Sequence, residues 1–311
     1  MLQYQLFRLF SLLAPLLPPA VAYRLCILVG DVAYWVLPRR RGIVRRNLST
    51  VLGCRSPELD RDVREVFRNG ARYYYDTFRV PALTDDELVR SISVVGWEHL
   101  DGALERGRGA VMFTAHLGSP ALVAQVLTLR GHKVTTVVEP LRSRKLLDLM
   151  IAVRGRRGIR MIPIGPSITR ELTESLRRNE IVAMVVDRDL HGTGVPVRLF
   201  GVPTTLPAGP VTLALRTGAA LIPAFTYRRQ DDRFDGEIWE PLALERTGDL
   251  REDLRRNTQK VADALESAIR RSPDQWVVFE PIWPGEAGLS RGAATGRSRW
   301  FRLTITRIQA G

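Results

Sequence analysis

Lysine is almost missing from this 311-residue chain. Lys133, Lys145 and Lys260 are the only ones, so arginine carries nearly all of a formal net charge of +13. Cysteine is equally scarce: Cys26 and Cys54 offer no disulfide framework, no CxxC pair and no Cys/His metal set, and a reducing compartment is the default. Met1-Leu2-Gln3 lacks the basic start of a secretory signal. No helix-turn-helix, zinc pattern or RNP-like aromatic strand accompanies the positive charge, which sets nucleic acid aside as a partner. No internal repeat is found, which excludes a solenoid.

What remains is a length that fits one large α/β domain and a charge suited to phosphate groups, an acidic carrier protein or an anionic membrane face. The most apolar stretch comes first. Met1–Pro19 and Ala20–Leu37 are broken by Pro15, Pro18 and Pro19, and Arg8, Arg24 and Asp31 keep either from being a clean span of about 20 apolar residues. Arg39-Arg40-Arg41 and Arg45-Arg46 follow directly. An apolar helix beside a basic cluster suits a protein lying on, or dipping into, the cytoplasmic leaflet; a buried helical hairpin is the plainer alternative. Residues 1–50 are therefore expected to be a membrane-associating helical segment, 51–284 the main domain, and 285–311 a poorly ordered basic tail.

Residues 57–90 read as amphipathic helices carrying Tyr73-Tyr74-Tyr75 and Phe78, and Ile92–Gly96 as a short strand before a helix that ends near Gly107. Strands are then predicted at Ala110–Ala115, Lys133–Glu139, Ile159–Ile164, Ile181–Val186, Val195–Phe200, Ala219–Tyr227, Gly236–Pro241 and Gln275–Phe279. The intervening helices cover Leu141–Arg154, Ser167–Arg178, Leu206–Thr217 and Asp249–Arg271. Such alternation implies an α/β fold with a largely parallel central sheet and helices on both faces.

The chain is organised around Gly109–Val123 (GAVMFTAHLGSPALV). An apolar strand ends at His116-Leu117-Gly118, and Ser119-Pro120 is an N-cap and first-turn signature for a helix running to about Arg130. His116 thus falls on a turn at the carboxyl end of a strand, where sites collect in open α/β sheets. An imidazole there can take a proton from a hydroxyl, and first-turn N–H groups can hold an oxyanion. Spacing alone leaves open a His that merely caps the turn.

Several motifs then occur in order: His116-Leu-Gly-Ser, Val186-Asp187-Arg188-Asp189, Leu199-Phe200-Gly201-Val-Pro203, Leu206-Pro207-Ala-Gly209-Pro210, Ala214-Leu-Arg216-Thr-Gly218-Ala219 and Asp274-Gln275-Trp276. Over about residues 1–284 this set resembles the bacterial lauroyl/myristoyl acyltransferase family. That family includes the late acyltransferases of lipid A synthesis and the phosphatidylinositol mannoside acyltransferases. The resemblance implies a glycerol-phosphate-acyltransferase-like fold on the cytoplasmic face of the inner or plasma membrane. The implied enzyme moves an acyl chain from acyl-CoA or acyl-carrier protein to a hydroxyl of a membrane glycolipid, and needs no cofactor.

One position departs from the family motif of His, four residues, then Asp or Glu: the acidic place is Ala121. A methyl group cannot orient an imidazole, and loss of an orienting acid costs orders of magnitude in rate. Glu139 or Asp187, both at predicted strand ends, are candidates to replace it. Alternatively His116 works with the helix dipole alone, or the chain is an impaired relative that binds lipid. In the catalytic reading His116 is the base, and Gly118, Ser119, Arg188 and Asp189 bind the oxyanion or substrate. Arg154, Arg156 and Arg157 face the donor's phosphates or acidic surface, against the plainer reading of a solvated helix face.

Overall fold

A computed structural model describes residues 2–53, 58–139, 143–189 and 192–283. Four helices come first: α1 (Leu2–Leu13), α2 (Pro19–Val36), α3 (Pro38–Leu52) and α4 (Glu58–Arg79). Then follow α5 (Asp85–Ser91), β1 (Ile92–Val95), α6 (Trp97–Leu104), β2 (Ala110–Thr114), α7 (Pro120–Leu129) and β3 (Val134–Val138). The chain continues through α8 (Arg144–Arg154), β4 (Arg160–Pro163), α9 (Ile168–Arg177) and β5 (Ile181–Val185). It ends with β6 (Val195–Leu199), β7 (Val202–Leu206), α10 (Gly209–Thr217), β8 (Ala220–Arg228), β9 (Phe234–Ile238) and α11 (Leu250–Arg271).

Seven strands form a mixed, mostly parallel sheet in the order β1-β9-β8-β2-β5-β3-β4, with only β8 and β9 antiparallel. Its centre, β2, reads Ala-Val-Met-Phe-Thr, apolar at successive residues because both faces are covered. Val111 and Phe113 pack with residues of α9, α10 and α11, including Leu176, Ala214, Leu265 and Ile269. Ala110 and Met112 point the other way, onto Leu100, Ala103 and Leu127 of α6 and α7. That period of two makes the α/β sandwich expected from the sequence.

The N-terminal helices form a layer of their own. α2 lies along α4, and the close approach needs Gly30: a Cβ there would sit 2.5 Å from Arg68 Cα. Asp31 of α2 is gripped by Arg64 and Arg68 of α4 at 2.6–2.9 Å. Those two cations hold its carboxyl well below the usual carboxylate range. Tyr34, Val44, Leu48, Val63, Val66 and Phe67 close the contact with α3. The other face of α2 is uncovered: Leu25, Leu28, Val29, Val32, Trp35 and Val36 are all exposed, Trp35 at 67%. By length and composition α2 could cross a membrane.

Three expected elements differ. Leu206–Thr217 is not all helix: Val202–Leu206 is a strand pairing with β6, and the helix starts at Gly209. Phe200 and Gly201 both have positive φ (52° and 75°), as a two-residue hairpin turn requires. Gln275–Phe279 is not a strand: among the described residues it makes an isolated bridge, Trp276 with Leu117, and is held mainly by the side chains of Gln275 and Trp276. β9 begins at Phe234 rather than Gly236. Cys54, Arg142 and the tail from residue 285 lie outside the described residues.

Candidate active site

The parallel register of β2 and β5 sets Thr114 beside Val185, so the chain ends that follow are neighbours although 71 residues apart. His116 and Asp187 meet there. Asp187 Oδ1 lies 2.7 Å from His116 Nδ1, and Oδ2 accepts the His116 backbone N–H at 3.0 Å and Trp276 Nε1–H at 2.8 Å. Asp187 is 1% exposed. Burial alone would raise its pKa; the positive charge His116 carries whenever it is protonated, the His116 hydrogen bonds and that from Trp276 outweigh it and hold the carboxyl at about 2.

Arg188 Nη2 lies 3.3 Å from His116 Nε2. Guanidinium only donates, so Nε2 accepts and the ring proton resides on Nδ1, pointing at Asp187. The site therefore holds an oriented imidazole with its lone pair on the outward nitrogen, which is what a general base for a hydroxyl requires. Tyr73 of α4 adds a wall, its ring centroid 6.3 Å from that of His116. Burial pushes the Tyr73 phenol up, and Arg154 is close enough for its charge to oppose that.

The turn after His116 is fixed by Thr226 of β8. Thr226 Oγ1 donates to Leu117 O at 3.1 Å and accepts Ser119 N–H at 2.9 Å. Gly118 has φ +60°, and a Cβ there would stand 2.2 Å from Thr226 O. Only glycine fits such a close approach. Val277 N–H donates to His116 O at 2.8 Å, closing the turn from the other side.

The structure brings together His116, Asp187 and Arg188, with Arg154 nearby, and separates the other candidates. Glu139 follows β3, which β5 separates from β2, and it is exposed. Among the described residues the carboxylate at Nδ1 is Asp187. Ser119 is 2% exposed, caps α7 without a side-chain bond and has given its N–H to Thr226, so it does not offer that group to an oxyanion. Asp189 is a loop former, accepting Gly192 N–H, Gly194 N–H and Thr205 Oγ1–H.

The arginine trio also divides. Arg157 is tied inward to Asp85, Gln125 Oε1 and Leu83 O. Arg156 is exposed, and Arg154 is half-buried with Nε buried and unpartnered among the described residues. Sequence reasoning missed the parts played by Trp276, Thr226 and Tyr73. Asp274-Gln275-Trp276 stood out as a motif, but its chemistry is visible only once the segment lies against Asp187.

Residues 2–284 match the bacterial lipid A biosynthesis acyltransferase family. The phosphatidylinositol mannoside acyltransferase of Mycobacterium tuberculosis (strain ATCC 25618 / H37Rv) is 32% identical over 256 residues, 80% of this chain and 79% of that protein. The phosphatidylinositol mannoside acyltransferase of Mycolicibacterium smegmatis (strain ATCC 700084 / mc(2)155) is 32% identical over 257 residues, 81% of this chain and 83% of that protein.

Proposed function

This chain belongs to the bacterial lipid A biosynthesis acyltransferase family, and on that premise we propose that it transfers a fatty acyl chain from acyl-CoA or acyl-carrier protein to a hydroxyl of a membrane glycolipid. Between a lipid A precursor and a phosphatidylinositol mannoside as acceptor we favour the second, a reading supported by the names of its relatives. The observation that carries the reading is the 2.7 Å contact between His116 Nδ1 and a buried Asp187 that Trp276 also holds. It supplies the orienting acid absent at Ala121, and so favours an active enzyme over an impaired lipid-binding relative.

His116 Nε2 removes the acceptor hydroxyl's proton as that oxygen attacks the thioester carbonyl carbon. Asp187 keeps the ring in the right tautomer and stabilises the imidazolium that forms. Arg188 is the cation placed to stabilise the tetrahedral oxyanion. The intermediate collapses by breaking the C–S bond, and Nε2–H returns its proton to the leaving thiolate. Arg154 receives anionic groups of the donor.

The exposed apolar face of α2, followed by Arg39–Arg41, rests on the cytoplasmic face of the membrane. Because α2 is bolted to α4 through Asp31, we read it as lying in the interface rather than spanning.

The test is transfer of labelled palmitate from palmitoyl-CoA to a phosphatidylinositol mannoside fraction on vesicles. Transfer by the parent protein and none by His116→Ala supports the reading. No transfer by the parent with either CoA or carrier-protein donors favours the impaired relative.

A further inference from the structure

Arg188 raises a difficulty for the catalytic reading. Its Nη2 occupies the Nε2 lone pair of His116, the place an acceptor hydroxyl must reach. The other end of the guanidinium shows how it can leave. Nη1 donates to Glu280 Oε2 at 2.9 Å, while Nε is buried and unpartnered among the described residues. A guanidinium pairs most strongly with a carboxylate through two parallel N–H bonds. If Arg188 offered Nε and Nη2 to Glu280 side-on, the orphan Nε would gain a partner and His116 Nε2 would be uncovered.

A second cation competes for Glu280. Arg40, in the basic cluster of α3, lies 3.7 Å from Glu280 Oε1 and donates to Phe279 O at 2.7 Å. Asn47 of the same helix fixes the backbone here, donating to Glu280 O at 2.9 Å and accepting from Ile282 N–H. Arg40 and Glu280 are each about half exposed. Exposed pairs of this kind contribute little, on the order of 0–1 kcal/mol, so the two arrangements are close in energy and a competing anion can decide between them. Arg40 follows the uncovered apolar face of α2, where lipid phosphates would be nearest.

We propose that Glu280 is a positioning residue that decides whether Arg188 covers His116 Nε2, and that Arg40 makes that decision depend on an anionic lipid surface. Off the membrane, Arg40 and Arg188 share Glu280 and Arg188 closes the base. On it, lipid phosphate takes Arg40, Glu280 pairs side-on with Arg188 through Nε and Nη2, and His116 Nε2 opens while Nη1, released from Glu280, is left for the oxyanion. The shift can be no larger than the difference in phosphate affinity between the two states.

This inference rests on His116 being the base, but its test reads the nitrogen directly. Diethyl pyrocarbonate modifies an imidazole nitrogen that carries a lone pair, and peptide mass mapping separates His116 from the other histidines. The rate is compared on vesicles of phosphatidylcholine alone and of equal parts phosphatidylcholine and phosphatidylinositol, at matched bound protein. The parent should react at least about fivefold faster on the anionic vesicles. Arg40→Ala should react fast on both, and Arg188→Ala likewise. Glu280→Gln, which cannot accept a charged side-on pair, should lose the difference between vesicles. Arg40→Gln provides a second variant at an exposed position where folding is not at stake. Equal rates for the parent on both vesicles, or an Arg40→Ala still responsive to anionic lipid, would overturn the proposal. Transfer surviving in His116→Ala would instead sink the base assignment and leave the modification result standing.

Discussion

The edge that holds His116 and the layer formed by α1 and α2 solve opposite problems. At the edge, charge is buried and every oxygen of Asp187 is used: His116 Nδ1 meets one, and His116 N–H and Trp276 Nε1–H the other. In the helical layer, apolar surface is left outside, with Leu28, Val32 and Trp35 uncovered while Asp31, on the flank of that face, fastens the helix to α4. The first arrangement fixes geometry and the second leaves a surface that needs a partner. Chemistry and location should therefore separate under mutation.

The largest effects belong to the edge. His116→Ala should abolish transfer, and Asp187→Asn should cost at least about 10²-fold in kcat, while vesicle binding stays unchanged in both. Glu139→Gln, two strands away, should stay within about threefold of the parent in the same assay. A large loss in Glu139→Gln would move the orienting acid. On the other side of the comparison, Leu28→Glu combined with Val32→Glu should weaken vesicle binding at least about tenfold without altering the Tm. A shifted Tm would mean that this face is packed in the protein rather than waiting for lipid.

Smaller effects are expected where the arginines divide. Arg154→Ala should raise the donor KM by about threefold to tenfold with the Tm unchanged. Arg157→Ala should leave the KM alone but cost about 1–2 kcal/mol of stability, because it strips partners from Leu83, Asp85 and Gln125.

Acid sharpens the contrast further. The Asp187 carboxyl is depressed from its ordinary 3.8 to about 2, so the unfolded chain takes up the proton first. Its contribution to stability is complete above the ordinary value and is lost as pH falls through about 2. Urea midpoints measured from pH 5 downward should fall in the parent over that window, and less steeply in Asp187→Asn. The smallest effect is reserved for Ala121→Glu, which should change the rate by less than about threefold because Nδ1 already has its acid. A gain of tenfold or more would show that Asp187 leaves the ring under-oriented.

Much of this was readable in the residues. The apolar strand at Ala110–Thr114, the long helix ending at Arg271 and the strand end before Asp187 follow from local patterns, and the sheet follows from their spacing. Parallel pairing is less legible, because it joins residues far apart in sequence. Nothing near Glu139 or Asp187 says that β5 and not β3 is the neighbour of β2. Of the hairpin at Phe200-Gly201 only the first strand was expected; the second carries Pro203, which a two-stranded edge tolerates. Arg157 looks like its neighbours in sequence; its positive φ of 57° and its inward bonds are tertiary facts. Trp276 acts through one side-chain hydrogen bond and Thr226 through two, all to segments distant in sequence, for which no periodicity exists.

The contact between Trp276 and Asp187 also has a bearing on time. His116 is synthesised long before Trp276, and the bonds at Asp187 span 71 and 89 residues. Contacts of such separation form late, after shorter loops have closed. A nascent chain emerging from the ribosome therefore presents the apolar face of α2 before it can orient its imidazole. If the proposed function holds, the docking surface precedes the finished site, which is complete only when the segment at Trp276 folds back across the turn.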